Sequence, residues 1–290
     1  MFMNAEPTFL VEEILARCLT DPPFLERLIT NRDAALKAYP LDAQARADFV
    51  NTDMQRLRRF SGFIGKVQHN YLWDFFPATR RLLQHYRIEI DFFADYRAIQ
   101  LSAQSPAQSQ SDKIRRFADH LATFVAKTPS LTGLASALRY ERACWELRQI
   151  APTRRPRGRV GLRRAAGLAW SDFLKLVPKC DDPLRIEAFD CDPVALVADV
   201  LAGHFPPRDS AGDRLFVLRR HRDQLVQTSE IEELSALLLS SIDGCRTVRS
   251  IIAVTRRRAL GTTPPRAFRA FFEQAADAHF IKLCGTPPCA

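Results

Sequence analysis

Between Asp213 and Leu283 the hydrophobic residues change their period, and this change constrains the fold more than any other feature of the chain. Leu215, Phe216, Val217 and Leu218, then Leu225, Val226 and Gln227, form two short runs separated by the polar residues His221, Arg222 and Asp223, the pattern of a two-stranded hairpin. Helical spacing follows. Leu234, Leu237, Leu238 and Ile242 make one stripe that stops at Asp243 and Gly244, and Thr247 can cap a second helix carrying Val248, Ile251 and Ile252. Thr263 with Pro264 and Pro265 opens a third, whose Phe268, Phe271, Phe272 and Ala275 share a face, and Ile281 to Leu283 reads as a short returning strand. A hairpin followed by three helices predicts a small α+β domain of the winged-helix kind over residues 210–285.

Residues 1–205 carry helical spacing and read as one helical domain, so the fold class is mostly α. Thr20 and Asp21 ahead of Pro22 and Pro23 mark a helix start before Phe24, Leu25 and Leu28; Asn31 or Asp33 caps the next, and another begins near Leu41. From Thr52 through Met54, Leu57, Arg58 and Phe60 the spacing predicts a helix with apolar side chains inward and arginines outward. The densest aromatic region runs from Phe60 to Tyr96 through Phe63, Tyr71, Trp73, Phe75, Phe76, Tyr86, Phe92 and Phe93. A core of large rings is favoured there over an exposed docking surface, although both can hold on different faces. Residues 102–111, SAQSPAQSQS, have the composition of a mobile loop within this domain. Helical spacing resumes with Ile114, Phe117, Leu121 and Phe124, then Leu131, Leu134, Leu138 and Trp145. Residues 154–164, RRPRGRVGLRR, concentrate arginine around Pro156 and Gly158, and both a solvated linker and a basic arm for an acidic partner stay open.

Several chemistries lose support on spacing alone. The seven cysteines, Cys18, Cys144, Cys180, Cys191, Cys245, Cys284 and Cys289, are odd in number and form no Cys-x-x-Cys, which favours buried free thiols over a disulfide framework or zinc ribbon. The six histidines are dispersed, with no His-Glu-x-x-His, so no metal or cofactor is expected in this chain itself. Asp190 with Asp192, and Glu89 with Asp91, are the acid pairs that could serve an enzyme, but acids without a nearby histidine are more often caps or surface charges. No early stretch reads as a secretion signal, and no apolar run approaches the roughly 20 residues that span a bilayer, so a cytoplasmic protein without membrane partners is expected. The net charge of +9 fits nucleic acid, an acidic peptide or an acidic partner surface.

Two resemblances narrow these alternatives. Residues 214–283, above all LLLSSIDGCRTVRSII from Leu237 to Ile252, resemble the PqqD-like domains that bind leader sequences of ribosomally made, post-translationally modified peptides. NYLWDFFPATRRLL from Asn70, LRYERACWEL from Leu138 and EAFDCDPVALVADVL from Glu187 are similar to the partner subunits of multinuclear non-haem iron oxidative enzymes in such pathways, which include those of methanobactin and 3-thiaglutamate. The module order resembles the 3-thiaglutamate type. DPPFLERLITNRDAALKAYPLD, residues 21–42, also looks like the small helical module related to extradiol dioxygenase small subunits, which is not itself catalytic. The resemblance implies a non-catalytic subunit that binds a precursor leader and presents the modifiable end, a C-terminal cysteine, to a TIM-barrel enzyme whose own residues hold the iron.

On that expectation the leader adds as a strand to the hairpin, and its side chains enter a groove lined by Phe216, Leu218, Leu225 and Gln227 with Arg266, Arg269 and Phe272 of the third helix. Trp73, Phe75 and Phe76 are the residues expected at the enzyme interface. The alternative function is a winged-helix DNA-binding regulator aided by Arg256, Arg257 and Arg258. Nucleic acid ranks lower because Glu273 and Asp277 of the groove-reading helix would repel phosphate.

Overall fold

Short side chains that accept backbone N–H groups start the N-terminal helices. In a computed structural model, which describes residues 7–102, 109–150, 167–180, 182–205, 213–220, 225–258 and 264–285, Asp21 accepts from the Phe24 N–H at 3.1 Å and opens α2 (Pro22–Thr30) after α1 (Pro7–Thr20). Asn31 caps α3 (Arg32–Leu36), Asp42 caps α4 (Ala43–Asn51) and Asp53 caps α5 (Met54–His69), each by the same kind of bond. A 3-10 turn over Asn70–Phe75 leads to α6 (Pro77–His85), α7 (Glu89–Ser102) and α8 (Gln110–Ala126). Ser109 caps α8 through the Asp112 N–H. Residues 103–108 of the expected loop, and all of the basic segment 154–164, lie outside the described residues.

The chain is mostly helical with a few short strands, and it divides into two units: Met1–Leu138 with Val200–Phe205, and Arg139–Asp199 with Pro206–Ala290. The division falls within α9 (Leu134–Gln149) and α11 (Pro193–Ala202). The expected boundary between residues 205 and 210 is thus corrected. Within 139–199 lie α10 (Trp170–Phe173) and two strands that the helical reading missed, β1 (Val177–Cys180) and β2 (Leu184–Phe189). Their partners are the late strands: β2 pairs antiparallel with β3 (Arg214–Arg220), which pairs with β4 (Val226–Ile231), and β1 pairs with β5 (Ile281–Cys284). The expected hairpin and three helices are present as β3, β4, α12 (Glu233–Ser240), α13 (Val248–Arg258) and α14 (Pro265–Asp277), with the hairpin turn, 221–224, outside the described residues. Between α12 and α13, Gly244 takes φ +78, a backbone state that a side chain disfavours. The Asp243 carboxylate accepts from the Cys245 and Arg246 N–H groups at 2.9 and 2.8 Å, bonds that hold its pKa down.

In the first unit, Met54 of α5 is buried and Leu57 packs on the core as expected, but Phe60 does not turn inward. The other buried positions of α5 are Ser61, Gly62 and Gly65, whereas Phe60 and Phe63 are half exposed. The reason is the approach of α7: a Cβ on Gly62 would lie 2.5 Å from the Ile90 carbonyl oxygen and 3.0 Å from the Ala94 nitrogen, so only glycine fits. Beside this contact the buried Glu89 carboxylate, at the start of α7, accepts from Lys66 Nζ at 2.6 Å, Arg80 Nε at 3.1 Å and Gln84 Nε2 at 3.2 Å. A buried carboxylate needs such partners. The ring core lies beyond it: Trp73 meets Phe93 edge-on at 5.6 Å and Phe117 at 4.9 Å, and Phe92, Tyr96 and Phe76 complete the cluster.

Two of the six described cysteines, Cys18 and Cys144, are buried, and burial pushes both thiols up to about 11; Cys245 is exposed. None of the six forms a disulfide among the described residues, and Cys289 lies outside them. No described helix is long and apolar enough to cross a membrane.

Gly62→Ala forces backbone to move on a well-packed contact, and we expect it to lower stability by about 1–3 kcal/mol. Urea denaturation of the full chain measures this, with Gly167→Ala, whose Cβ would meet nothing within 4 Å, expected near zero.

Candidate functional site

Five consecutive residues of β3, Phe216 to Arg220, are buried, which is possible only if both faces of the sheet are covered. Strand alternation sorts them. Phe216 and Leu218 join Phe189 against Ala143, Cys144 and Leu147 of α9. Val217 points the other way, into a cluster of Leu238, Ile251, Phe268, Phe272 and Ile281 from α12, α13, α14 and β5. Phe216, Leu218 and Phe272 are therefore core residues and not groove contacts. Each is at most 3% exposed, because each packs inside one of the two layers that cover the sheet, Phe216 and Leu218 under α9 and Phe272 among the helices on the other face.

Polar bonds fix α9 on its face of the sheet. The Tyr140 hydroxyl lies 3.3 Å from Thr228 Oγ1, and burial raises this phenol to about 12. Glu146 receives Arg142 at 2.8 Å and pairs with Arg185 of β2, while Arg139 donates to the Ala188 carbonyl of β2. Buried Arg220 donates to the Arg148 and Ile150 carbonyls at the end of α9, where a helix favours a cation.

With both faces closed, the sheet presents its edges. On β2, Arg139 already occupies one carbonyl. Among the described residues β4 pairs with β3 alone, so the backbone groups of β4 turned away from β3 have no strand partner. Its sequence, VQTSEI, has no proline, lysine or bulge of the sort that usually blunts an exposed edge. Leu225, at its start, is 65% exposed, and Gln227 is exposed. Glu230 is held by Arg214, whose Nε donates at 2.8 Å; that bond keeps the carboxyl low and the guanidinium high.

Arg219 ties this edge to α14, a role absent from the sequence reading. Its Nη2 donates to Gln227 Oε1 at 2.8 Å, its Nη1 donates to the Ala278 carbonyl just past α14 at 3.0 Å, and its guanidinium lies over the Phe280 ring, 4.5 Å from the centroid. Gln227 and the end of α14 are thus brought together. Of the other expected contacts on α14, Arg266 is exposed, whereas Arg269 donates to Glu273 at 2.8 Å and lies over Phe173. No pattern along the chain announces that the pair Arg219 and Arg220, which reads as surface charge, is buried.

In the first unit, two of the three residues expected at an enzyme interface prove to be core residues. Trp73 and Phe76 are buried in the ring core, and Phe75 is half-buried. Trp73 and Phe76 pack with Phe92, Phe93 and Tyr96 around Phe117 and fill that space. The acid pairs have local partners: Asp192 accepts from the Val194 and Ala195 N–H groups as the cap of α11, Glu89 is held as described, and Asp91 lies 3.6 Å from Arg59. Cys191, between Asp190 and Asp192, is raised to about 12, by burial first and the two acids next. Among the described residues no three His, Cys, Asp or Glu side chains are grouped to hold a metal.

No protein-family model matches the chain, and no curated protein matches it in sequence.

Arg219→Met removes both hydrogen bonds and the guanidinium over Phe280. We expect a loss of about 3 kcal/mol or more in urea denaturation, since each hydrogen bond to a charged group contributes about 1.5–3 kcal/mol, against a smaller loss for Gln227→Ala, which removes one of the two.

Proposed function

We propose that this chain is a non-catalytic accessory protein that captures the leader of a ribosomally made precursor peptide by strand addition on β4, and presents the peptide's modifiable C-terminal cysteine end to a partner TIM-barrel iron oxidative enzyme. The observation that carries this reading is the open β4 edge on a sheet whose two faces are closed. Backbone pairing is a mode of contact that this edge offers to an extended chain, and it is the mode by which sheet edges take peptides. The order of elements supports it: a hairpin, β3 and β4, then three helices, is the arrangement expected of a PqqD-like domain.

A peptide strand beside β4 alternates its side chains between two environments. One set falls toward Gln227, Arg219 and Phe280 at the end of α14, and the other toward Val226 and Thr228 on the α9 side. The first is suited to a residue with an apolar body and a polar tip. Leu225 adds an exposed apolar contact at the start of the edge.

Backbone chemistry supplies the test. The leader of a precursor peptide encoded beside this gene, labelled and titrated against the full chain, is expected to bind saturably. The same leader N-methylated at alternate backbone nitrogens is expected to lose at least tenfold in affinity, since each methyl removes a donor that an added strand requires. Equal binding by both peptides would sink strand addition. If the unmodified leader does not bind but duplex DNA is retarded in a salt-sensitive way, the winged-helix regulator replaces this function. Co-expression with the neighbouring oxidative enzyme, followed by size-exclusion chromatography and iron analysis, tests the second half: co-elution with an iron-bearing barrel is expected.

A further inference from the structure

The first unit carries an apolar stripe that its own core does not use. On α5, Phe60 is 52% exposed, Phe63 51% and Val67 63%, and Tyr71 in the following 3-10 turn is 39% exposed. Positions 60, 63 and 67 recur at the three-then-four spacing of a helix–helix seam and cover about 10 Å of helix axis at 1.5 Å per residue. The opposite side of α5 is Ser61, Gly62 and Gly65, against which α7 packs. Met54 and Leu57 at the start of α5 serve the core, but from Phe60 onward small residues face α7 while Phe60, Phe63 and Val67 face outward.

Charge identifies what such a seam accepts. Residues Met54–His69 include Arg56, Arg58, Arg59 and Lys66 and no Asp or Glu. Arg58 and Lys66 are engaged with Asp95 and Glu89. Arg56 and Arg59, with side chains 89% and 70% exposed, have only loose neighbours, Asp53 at 3.5 Å and Asp91 at 3.6 Å, and they flank the stripe at its N-terminal end. A second copy of this chain does not complement that pattern. In a twofold antiparallel pairing that sets Phe60 against Val67, Arg56 and Arg59 would meet Tyr71 and Gln68, which carry no carboxylate. A narrow seam rimmed by Gln68 and Asn70 also differs from the broad apolar face of a membrane-lying helix.

We infer that the Phe60, Phe63, Val67 and Tyr71 stripe docks an amphipathic helix of a different protein, one whose apolar seam is flanked by carboxylates that meet Arg56 and Arg59. The helix lies along α5, its apolar residues between the exposed rings and its acidic end at the N-terminus of α5. This surface is independent of how β4 is used, so peptide capture and docking fail or stand separately.

The test begins with the full chain carrying a benzoylphenylalanine photo-crosslinker in place of Phe63, expressed in the organism that makes it and irradiated, with the adduct segment identified by mass spectrometry. A segment of another protein with an apolar helical stripe and flanking Asp or Glu is expected. That segment, synthesised, should bind the purified chain, and both Phe63→Asp with Val67→Asp and Arg56→Glu with Arg59→Glu should weaken it at least tenfold while circular dichroism and Tm stay unchanged. High salt should weaken the wild-type complex and have little effect on the Arg56→Glu, Arg59→Glu chain. An adduct with a second copy of this chain alone, an adduct with lipid alone, no adduct, or a segment that binds the variants as well as wild type each overturns the inference.

Discussion

Closure of both faces of the three-stranded sheet is the constraint on which the second unit depends. A sheet of three short strands cannot stand alone in water, and β3 gains its stability by burying Phe216 and Leu218 under α9 and Val217 under the helices that follow it. That solution removes the sheet faces from any binding role. What remains is an edge, and of the two edges β2 is occupied in part by Arg139 while β4 is not. The functional proposal follows from this process of covering more than from any single side chain.

Arginine does unusual structural service here. Arg97, Arg219 and Arg220 are each buried, and each spends its donors on backbone carbonyls: Leu19 and Ser61 for Arg97, Ala278 for Arg219, Arg148 and Ile150 for Arg220. Leu19, Ala278 and Arg148 stand at or beside helix ends, where the unsatisfied carbonyls concentrate partial negative charge. Burial lowers the Arg97 pKa, as desolvation of a cation must. Part of the +9 charge is therefore internal, and the net figure overstates the field available to a phosphate backbone.

The parts legible in the sequence were the local ones. Asp21, Asn31 and the Asp243–Gly244 turn signal themselves within four residues, because caps and turns are closed by neighbours along the chain. The hairpin and three helices of residues 214–283 were equally readable from their periods. β1 was not, since its partner β5 lies about a hundred residues away and its four residues carry no periodic signal. β2 did carry one: Leu184, Ile186 and Ala188 alternate with Arg185 and Glu187, a strand pattern overlooked inside a stretch read as helical. At the candidate site, exposed Gln227, Leu225 and Arg266 are open to contact as their positions on the strand and helix imply. Phe216, Leu218 and Phe272 are not, because the layer that covers them comes from α9 and β5, whose pairing with them no local pattern encodes.

The same logic explains why Phe60 was placed on the wrong side of α5, although Met54 and Leu57 face the core as read. Assigning large apolar residues to the core is right whenever the core has room, but the Ile90 carbonyl and Ala94 nitrogen of α7 stand so close to Gly62 that nothing larger than glycine can face them. Once the small residues are committed inward, Phe60, Phe63 and Val67 are carried outward by helical geometry alone, whatever their hydrophobicity. The stripe takes no part in the α5–α7 contact, since shortening those side chains would leave that contact intact. The close approach of α7 at Gly62 and the exposure of Phe60, Phe63 and Val67 are thus two sides of one helix, and the inferred docking would cover the second.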